Sequence, residues 1–407
     1  MIQPLADLRI VELSAFVAAP LGGMTLAQMG ADVIRIDPIG GNIDFRRWPL
    51  APSGQSLYWT GLNKGKRSVA LALDTPEGRA LAQALITAPE EGAGILLSNL
   101  PDQGWNGHAA LQAVRADLIS LRLVGNPDGS SAVDYTINPA SGFPLITGSG
   151  EEPVNHVLPA WDIAAGLYLA TGLLAAERHR RRTGKGQMVR LSLADVMLAT
   201  LGNLGYLADF EINGVQRRAA GNALFGAFGA DFGTADGRRV MVVAISRSQW
   251  RNLGKATGLT DAFAALGAKL GVDFNDEGQR FLAHKPLCVL LAPWFATRPL
   301  AHVASALDAA GVLWGPYQDL RQLMQLDARC STDNPLFQRL EQPGIGAYLT
   351  PGSPLAFGAA PRSELSPAPR LGQHTDQLLK DIVGCSDRDI RRLHDHKIVA
   401  GPEEVEL

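Results

Sequence analysis

Short apolar runs recur along the N-terminal part of the chain, each followed by a longer helix-like stretch. LRIVEL at Leu8–Leu13 reads as a strand, Ser14–Ala19 as a turn of small residues and Pro20–Met29 as a helix, since proline is tolerated in a first turn. DVIRID at Asp32–Asp37 reads as the next strand, so this strand–helix–strand unit predicts parallel pairing. RSVALAL at Arg67–Leu73, Gly94–Leu97 and Ile119–Val124 continue the series, with a helix opened by Thr75-Pro76 and another at His108–Asp117. The alternation predicts an α/β fold with a large, Rossmann-like, doubly wound sheet. Ligands of such sheets sit beyond the carboxyl ends of the strands, where Ser14–Ala18, Asn99-Leu100 and Gly125–Pro127 fall. Gly22 and Gly23 are adjacent and Gly30 stands alone, so the dinucleotide fingerprint GxGxxG is absent.

A long, small-residue apolar helix follows His156, Pro159 and Trp161 and ends in Glu177 and a basic cluster, Arg178–Arg182. Its first turn carries one carboxylate, Asp162. An acid in the first turn and bases in the last suit the helix dipole. Read locally, Asp162 is an N-terminal capping residue. Read with its small apolar neighbours, which let a ligand approach, it is a nucleophile kept ionised by first-turn amides. Met188–Leu193 is then a strand and Ala194–Ala208 a helix, and the glycine-rich stretch Glu211–Asp236 reads as loop. A second α/β series begins with the strand Arg239–Ile245 and the helix Ser248–Thr257, followed by helices near Pro286–Ala296 and Leu300–Ala310. Asp327–Pro369 is rich in proline and glycine with few regular elements, Gln373–Ile398 is helical, and the tail is acidic. The expected organisation is a large domain over residues 1–210, a small α/β domain over 225–325, and a return segment, 326–407, completing the first. Ile39–Lys66 is a long polar and aromatic excursion of the kind that often carries function.

At 407 residues the chain exceeds one ordinary domain, and a 46 % apolar content supplies two cores. The net charge of -3 gives no push towards nucleic acid or acidic membranes. Leu13–Ala31 is uncharged and long enough to span a bilayer, but serine, proline, glutamine and glycines dilute it and acids precede it. It reads as strand end, turn and helix. Cys288, Cys330 and Cys385 lie far apart, without metal or disulfide spacing, which fits a reducing cytoplasm. The eight histidines show no HExxH and no His/Cys pairing, so no metal is expected.

Several segments, weak singly, are specific in their order and spacing: VELSAFVAAPLGGMTLAQMGADVIRID, GLNKGKRSVAL, TPEG, LLSNLP, PAWDIAAGLY, RTGKGQMVRLSLADVML, FGTADGRRVMVVAIS and PRLGQHTD. With these the chain resembles, nearly end to end, the family III CoA-transferases, the group that includes formyl-CoA transferase and α-methylacyl-CoA racemase. SAFVAAPLGGMTLAQMGADVIRIDPIGG, VNHVLPAWDI and LLAAERHRRRTGKGQ carry a closer resemblance to members that move CoA between the two carboxyls of one mesaconyl group. The resemblance implies a Rossmann-like large domain, a small domain and two subunits interlocked like chain links. It implies acyl-CoA as substrate, with no tightly bound cofactor, and attack on the thioester by the aspartate at the helix start, here Asp162.

The same resemblance places CoA against the turn Phe16, Val17 and Ala18, the strand containing Leu71, and Asn99 with Leu100. Lys64, Lys66 and Arg67 are plausible phosphate partners, or a solvated basic turn. Pro38 and Asp74 stand where formyl-CoA transferase carries an arginine and a lysine, so phosphate contacts must differ. Backbone amides of glycine loops can hold the oxyanion of a tetrahedral intermediate, with Gly142, Gly226 and Gly229 as candidates, although each alone also reads as a turn glycine. Tyr135, Arg46 and Arg47 are candidates for meeting the free carboxylate of a dicarboxylic acyl group. Racemases of the family carry a histidine where this chain has Val133, and valine moves no proton, which disfavours racemisation. His156 reads as a hydrogen-bonded structural residue or as its substitute, and Trp161 as packing. Transfer within one molecule, transfer to a separate acid, racemisation and plain CoA binding are the readings to be separated.

Overall fold

The computed structural model describes residues 3–362 and 364–402, and the acidic tail lies outside the described residues. The chain divides into two compact units. The first comprises Met1–Ser141, Val157–Asn213 and Ala328–Leu407, and the second Gly142–His156 and Gly214–Asp327. Residues 142–156, grouped with the large domain in the sequence reading, thus belong to the second unit.

Among the described residues the first unit is built on one seven-stranded sheet. Its strands are β1 (Arg9–Leu13), β2 (Asp32–Pro38), β3 (Arg67–Leu71), β4 (Ile95–Ser98), β5 (Ile119–Val124), β6 (Met188–Ser192) and a two-residue edge strand, Val399–Ala400. Their spatial order is edge strand, β3, β2, β1, β4, β5, β6. β1 to β6 run parallel, and the edge strand pairs antiparallel with β3, Val399 opposite Leu71. The order 3-2-1-4-5-6 reverses between β1 and β4, which opens a crevice beyond their carboxyl ends. β4 is buried along its whole length because helices cover both faces of the sheet, as parallel sheets require.

Two helices frame that crevice, α1 (Ala18–Ala27) directly after β1 and the 24-residue α3 (Ala160–Thr183), while a short α2 (Asp134–Ala140) precedes α3. Missing side chains let α1 and α3 approach closely. A Cβ on Gly22 would stand 3.0 Å from the Gly166 carbonyl oxygen, and one on Gly166 2.7 Å from that of Ala18. Gly166 is one turn beyond Asp162, so this contact presses the start of α3 towards the turn that opens α1. The uncharged stretch 13–31 is the end of β1, a turn and α1, and no single helix among the described residues is long and apolar enough to cross a membrane.

After β6 the expected single helix is two, α4 (Leu193–Asn203) and α5 (Tyr206–Asn213), separated at Gly205 with φ +79°. In the second unit, β7 (Phe228–Gly233), β8 (Arg239–Ala244) and β9 (Leu313–Pro316) form an antiparallel sheet packed on helices around Phe228, Trp250, Phe263 and Phe295. β7 falls where the sequence reading expected loop. Its glycines and aspartate obscure an alternation in which Phe228, Ala230 and Phe232 are buried. The stretch expected to hold few regular elements contains an antiparallel hairpin, β10 (Phe337–Gln342) and β11 (Gly346–Pro351). Gln373–Ile398 is interrupted at Gly384, φ +81°, and resumes at Asp387 under a Ser386 cap.

Candidate active site

A cleft of about 1030 Å³ opens in the first unit where the sheet order reverses. Phe16, Val17 and Ala18 line it from the turn after β1, Asn99 and Leu100 from beyond β4, and Tyr135 and Asp162 from α2 and α3. Parallel strands ending side by side bring these segments together although the chain separates them widely.

The turn after β1 is held from behind by a buried ionic cluster. Phe16 has φ +67°, rare for a residue with a side chain, and its N–H donates to Asp44 at 3.1 Å. Asp44 accepts in turn from Arg35, which also donates to Asp37 and to the Ser14 carbonyl oxygen. Asn99 uses both ends of its amide on Ala15, accepting from its N–H at 3.1 Å and donating to its C=O at 2.8 Å. Glu12 completes the cluster through Lys66, whose ammonium donates to Glu12 at 2.8 Å and to the Pro20 carbonyl oxygen at 2.9 Å. Burial pulls the Lys66 ammonium down from its usual range, against the pull of Glu12. Removing one member leaves its partners charged and dry. Arg35→Ala is therefore expected to destabilise the protein by about 3–5 kcal/mol, read from denaturant unfolding.

The start of α3 shows why Asp162 is free. Pro159 has no N–H, and that of Ala160 donates to the Leu158 carbonyl oxygen at 2.8 Å. Those of Trp161 and Asp162 donate to Asp134 Oδ2 at 2.8 and 3.2 Å, and that of Ile163 begins the helical ladder on Pro159. The capping role read for Asp162 thus belongs to Asp134, which is 1 % exposed. The Asp162 carboxylate takes no hydrogen bond from the described residues and faces the cleft.

Its pKa is pushed up to about 7, first by burial and then by the Asp134 charge, with Arg47 pulling the other way. The expectation that first-turn amides keep Asp162 a ready anion is corrected: those amides are engaged by Asp134, and desolvation outweighs the helix dipole. A carboxylate with this pKa is basic for its kind and about half ionised at neutrality. Only the ionised form attacks a carbonyl. Activity is therefore expected to fall about tenfold per unit below pH 6 and to level off above about pH 8, read from kcat/KM against pH.

Around Asp162, Tyr135 is half exposed and Tyr58, from the excursion 39–66, also lines the cleft. The Arg47 guanidinium lies 5.2 Å from the Tyr58 ring centre and 5.6 Å from that of Phe16. Arg46, its neighbour, lines a separate pocket beside Trp59. Trp161 is buried, its indole N–H donating to Asn138 at 3.3 Å.

The basic cluster expected at the phosphates is engaged elsewhere. Lys64 is 5 % exposed, donates to the Pro351 carbonyl oxygen at 2.8 Å, and is lowered to about 8 by burial. Lys66 is enclosed in the ionic cluster, and Arg67 is bound to Asp32 at 2.7 Å. Leu71 is fully buried in the core against the edge strand and does not reach the cleft. Gly142, Gly226 and Gly229 belong to the second unit; the first two have φ +79° and Gly229 lies within β7. His156 is also in that unit, and both its ring nitrogens are enclosed without a hydrogen-bond partner, so it is not the bonded structural histidine expected. The sequence reading missed Asp134, Tyr58, Arg122 and Arg190 in the cleft. Of these only Asp134 left a signal, a carboxylate just after Val133 at a helix start.

The family model for CoA-transferase family III matches residues 5–375. The chain is 56 % identical over 404 residues, 98 % of its length and 99 % of the relative's, to a 2-methylfumaryl-CoA isomerase of Chloroflexus aurantiacus. It is 29 % identical over 93 % of its length to a succinyl-CoA:mesaconate CoA-transferase of Haloarcula hispanica, of which 96 % is covered. The fold matches a CAIB/BAIF family protein from Brucella suis with a TM-score of 0.77 at 24 % identity, covering 94 % of this chain and all of the other. This chain therefore belongs to CoA-transferase family III and is an enzyme of that family.

Proposed function

We propose that the enzyme moves CoA between the two carboxyl groups of one mesaconyl unit, interconverting 2-methylfumaryl-CoA and 3-methylfumaryl-CoA through covalent intermediates on Asp162. The observation that carries the chemistry is the Asp162 carboxylate, unbonded in the cleft while Asp134 holds the helix amides. The relative that is 56 % identical over nearly the whole chain supports the choice of substrate.

An Asp162 oxygen attacks the thioester carbon, the C–S bond breaks, and a mixed anhydride and CoA thiolate result. The thiolate attacks the aspartyl carbonyl of the anhydride, which releases mesaconate and leaves an aspartyl-CoA thioester. The other mesaconate carboxylate then attacks that thioester. The freed thiolate takes the acyl group from the new anhydride and restores the Asp162 carboxylate. No water, proton or oxidant is consumed, and one hard step becomes several easier ones. Arg47 and Tyr135, which line the cleft, are our candidates for meeting the second carboxylate.

Turnover of 2-methylfumaryl-CoA in the presence of labelled free mesaconate tests this reading. The expected result is the isomeric thioester with no label in the CoA pool. Substantial label there would overturn the intramolecular route and favour transfer to a separate acid.

We also read the enzyme as a cytoplasmic homodimer of interlocked subunits. Leu204, Leu207, Phe210 and Ile212, on and just before α5, are exposed, and a row of large apolar side chains in water supports a protein partner. Sedimentation at twice the chain mass is the expected result.

A further inference from the structure

Arg122 on β5 and Arg190 on β6 are partners in register, and both line the cleft. Arg122 is 2 % exposed. Its Nη2 donates to the Asn106 carbonyl oxygen and lies 3.3 Å from Asp102 Oδ1. Asp102 is shared with the helix after it, accepting the His108 N–H at 2.7 Å. The Nε and Nη1 of Arg122 are enclosed with no hydrogen-bond partner. Leaving donors of a buried cation unmade is costly, and an arriving anion would satisfy them. Arg190 is exposed and reaches over the loop that follows β5: a Cβ on Gly129 would stand 3.2 Å from its Nη2. Ser130 and Ser131 of that loop also line the cleft.

The pair stands on β5 and β6, with Arg122 held by Asp102 and Asn106, whereas Asp162 stands in the first turn of α3. Lys64, Lys66 and Arg67 are engaged elsewhere. In CoA the pantetheine arm separates the phosphates from the thioester, so a cationic pair on other elements than the nucleophile suits them rather than the acyl carboxylate. Resting on the acyl-CoA reading above, we propose that Arg122 and Arg190 form the phosphate subsite for the nucleotide end of CoA.

The test compares binding of CoA, 3′-dephospho-CoA and pantetheine to the whole enzyme by calorimetry. Arg190→Ala and Arg122→Gln are each expected to weaken CoA about tenfold and pantetheine less than twofold. Arg122→Lys, which keeps the charge, should recover part of the loss. If the loss vanishes with 3′-dephospho-CoA the 3′-phosphate is the ligand, and if it persists the diphosphate is; either supports the subsite. Should Arg122→Gln fail to fold, the exposed Arg190 carries the test. Unchanged CoA affinity in the folded variants, or an equal loss with pantetheine, overturns the subsite alone. A wild-type enzyme that binds no CoA overturns the acyl-CoA reading and the subsite with it.

Discussion

Asp162→Ala is expected to lower turnover by at least about a thousandfold while CoA still binds. The carboxylate is the atom group that takes the acyl unit from sulfur, and no other carboxylate lining the cleft stands in for it: Asp134 is committed to the helix amides and Asp102 to Arg122 and His108. Hydroxylamine added during turnover should trap the activated Asp162 carbonyl as a hydroxamate, releasing mesaconate or CoA. Full activity in the alanine variant, or trapping at another residue, would sink the proposal. The same position carries a stability cost whose sign can be worked out. Its pKa in the fold, about 7, lies above the ordinary value near 4, so the native state holds this proton more tightly than the unfolded chain. The resulting stabilisation is whole below about pH 4 and is lost as pH rises through about 7. Asp162→Asn has no such loss. Its Tm is therefore expected to exceed that of the wild type by roughly a few degrees at pH 8, with no gain at pH 4. An active-site residue that destabilises its own fold at working pH is what a basic, desolvated nucleophile requires.

Asp134→Ala should cost about a hundredfold in kcat, because two amides at the head of α3 lose their acceptor and the nucleophile shifts with them. Asp134 acts through Asp162, and two readouts separate positioning from mere structural support. The negative charge of Asp134 raises the Asp162 pKa, so its removal lowers that pKa and moves the acid limb of the pH profile to lower pH. Asp134→Asn keeps an acceptor oxygen for the two amides but not the charge. It should restore much of kcat and still show the displaced limb. An alanine variant with an unmoved limb would reduce Asp134 to a structural cap.

Much of the large sheet could be read from the chain. Apolar runs followed by helix-like stretches gave β1 to β5 and their parallel pairing, and the missing glycine fingerprint was read in place. The acid at the start of α3 was likewise visible, since a lone carboxylate before a long small-residue helix is a local pattern. β7 and the hairpin of β10 and β11 were not visible, because glycine, proline and charged residues break the alternation that marks a strand. The basic group Lys64, Lys66 and Arg67 read as phosphate partners or as a solvated turn, yet all three are bound within the unit. In ISLRLV the arginine looked like an ordinary strand position, and nothing local showed that it faces a cleft beside Arg190.

Periodicity and helix-end chemistry reach only a few residues, so the run of letters suffices to place strands, helices and the acid between them. Charge and desolvation depend on distance in space. Asp134 meets the head of α3 across 28 positions, and Lys66 meets Glu12 across 54. Which acid caps, which acid is left free to react, and which cations remain available for an anion were settled when the sheet brought those segments together.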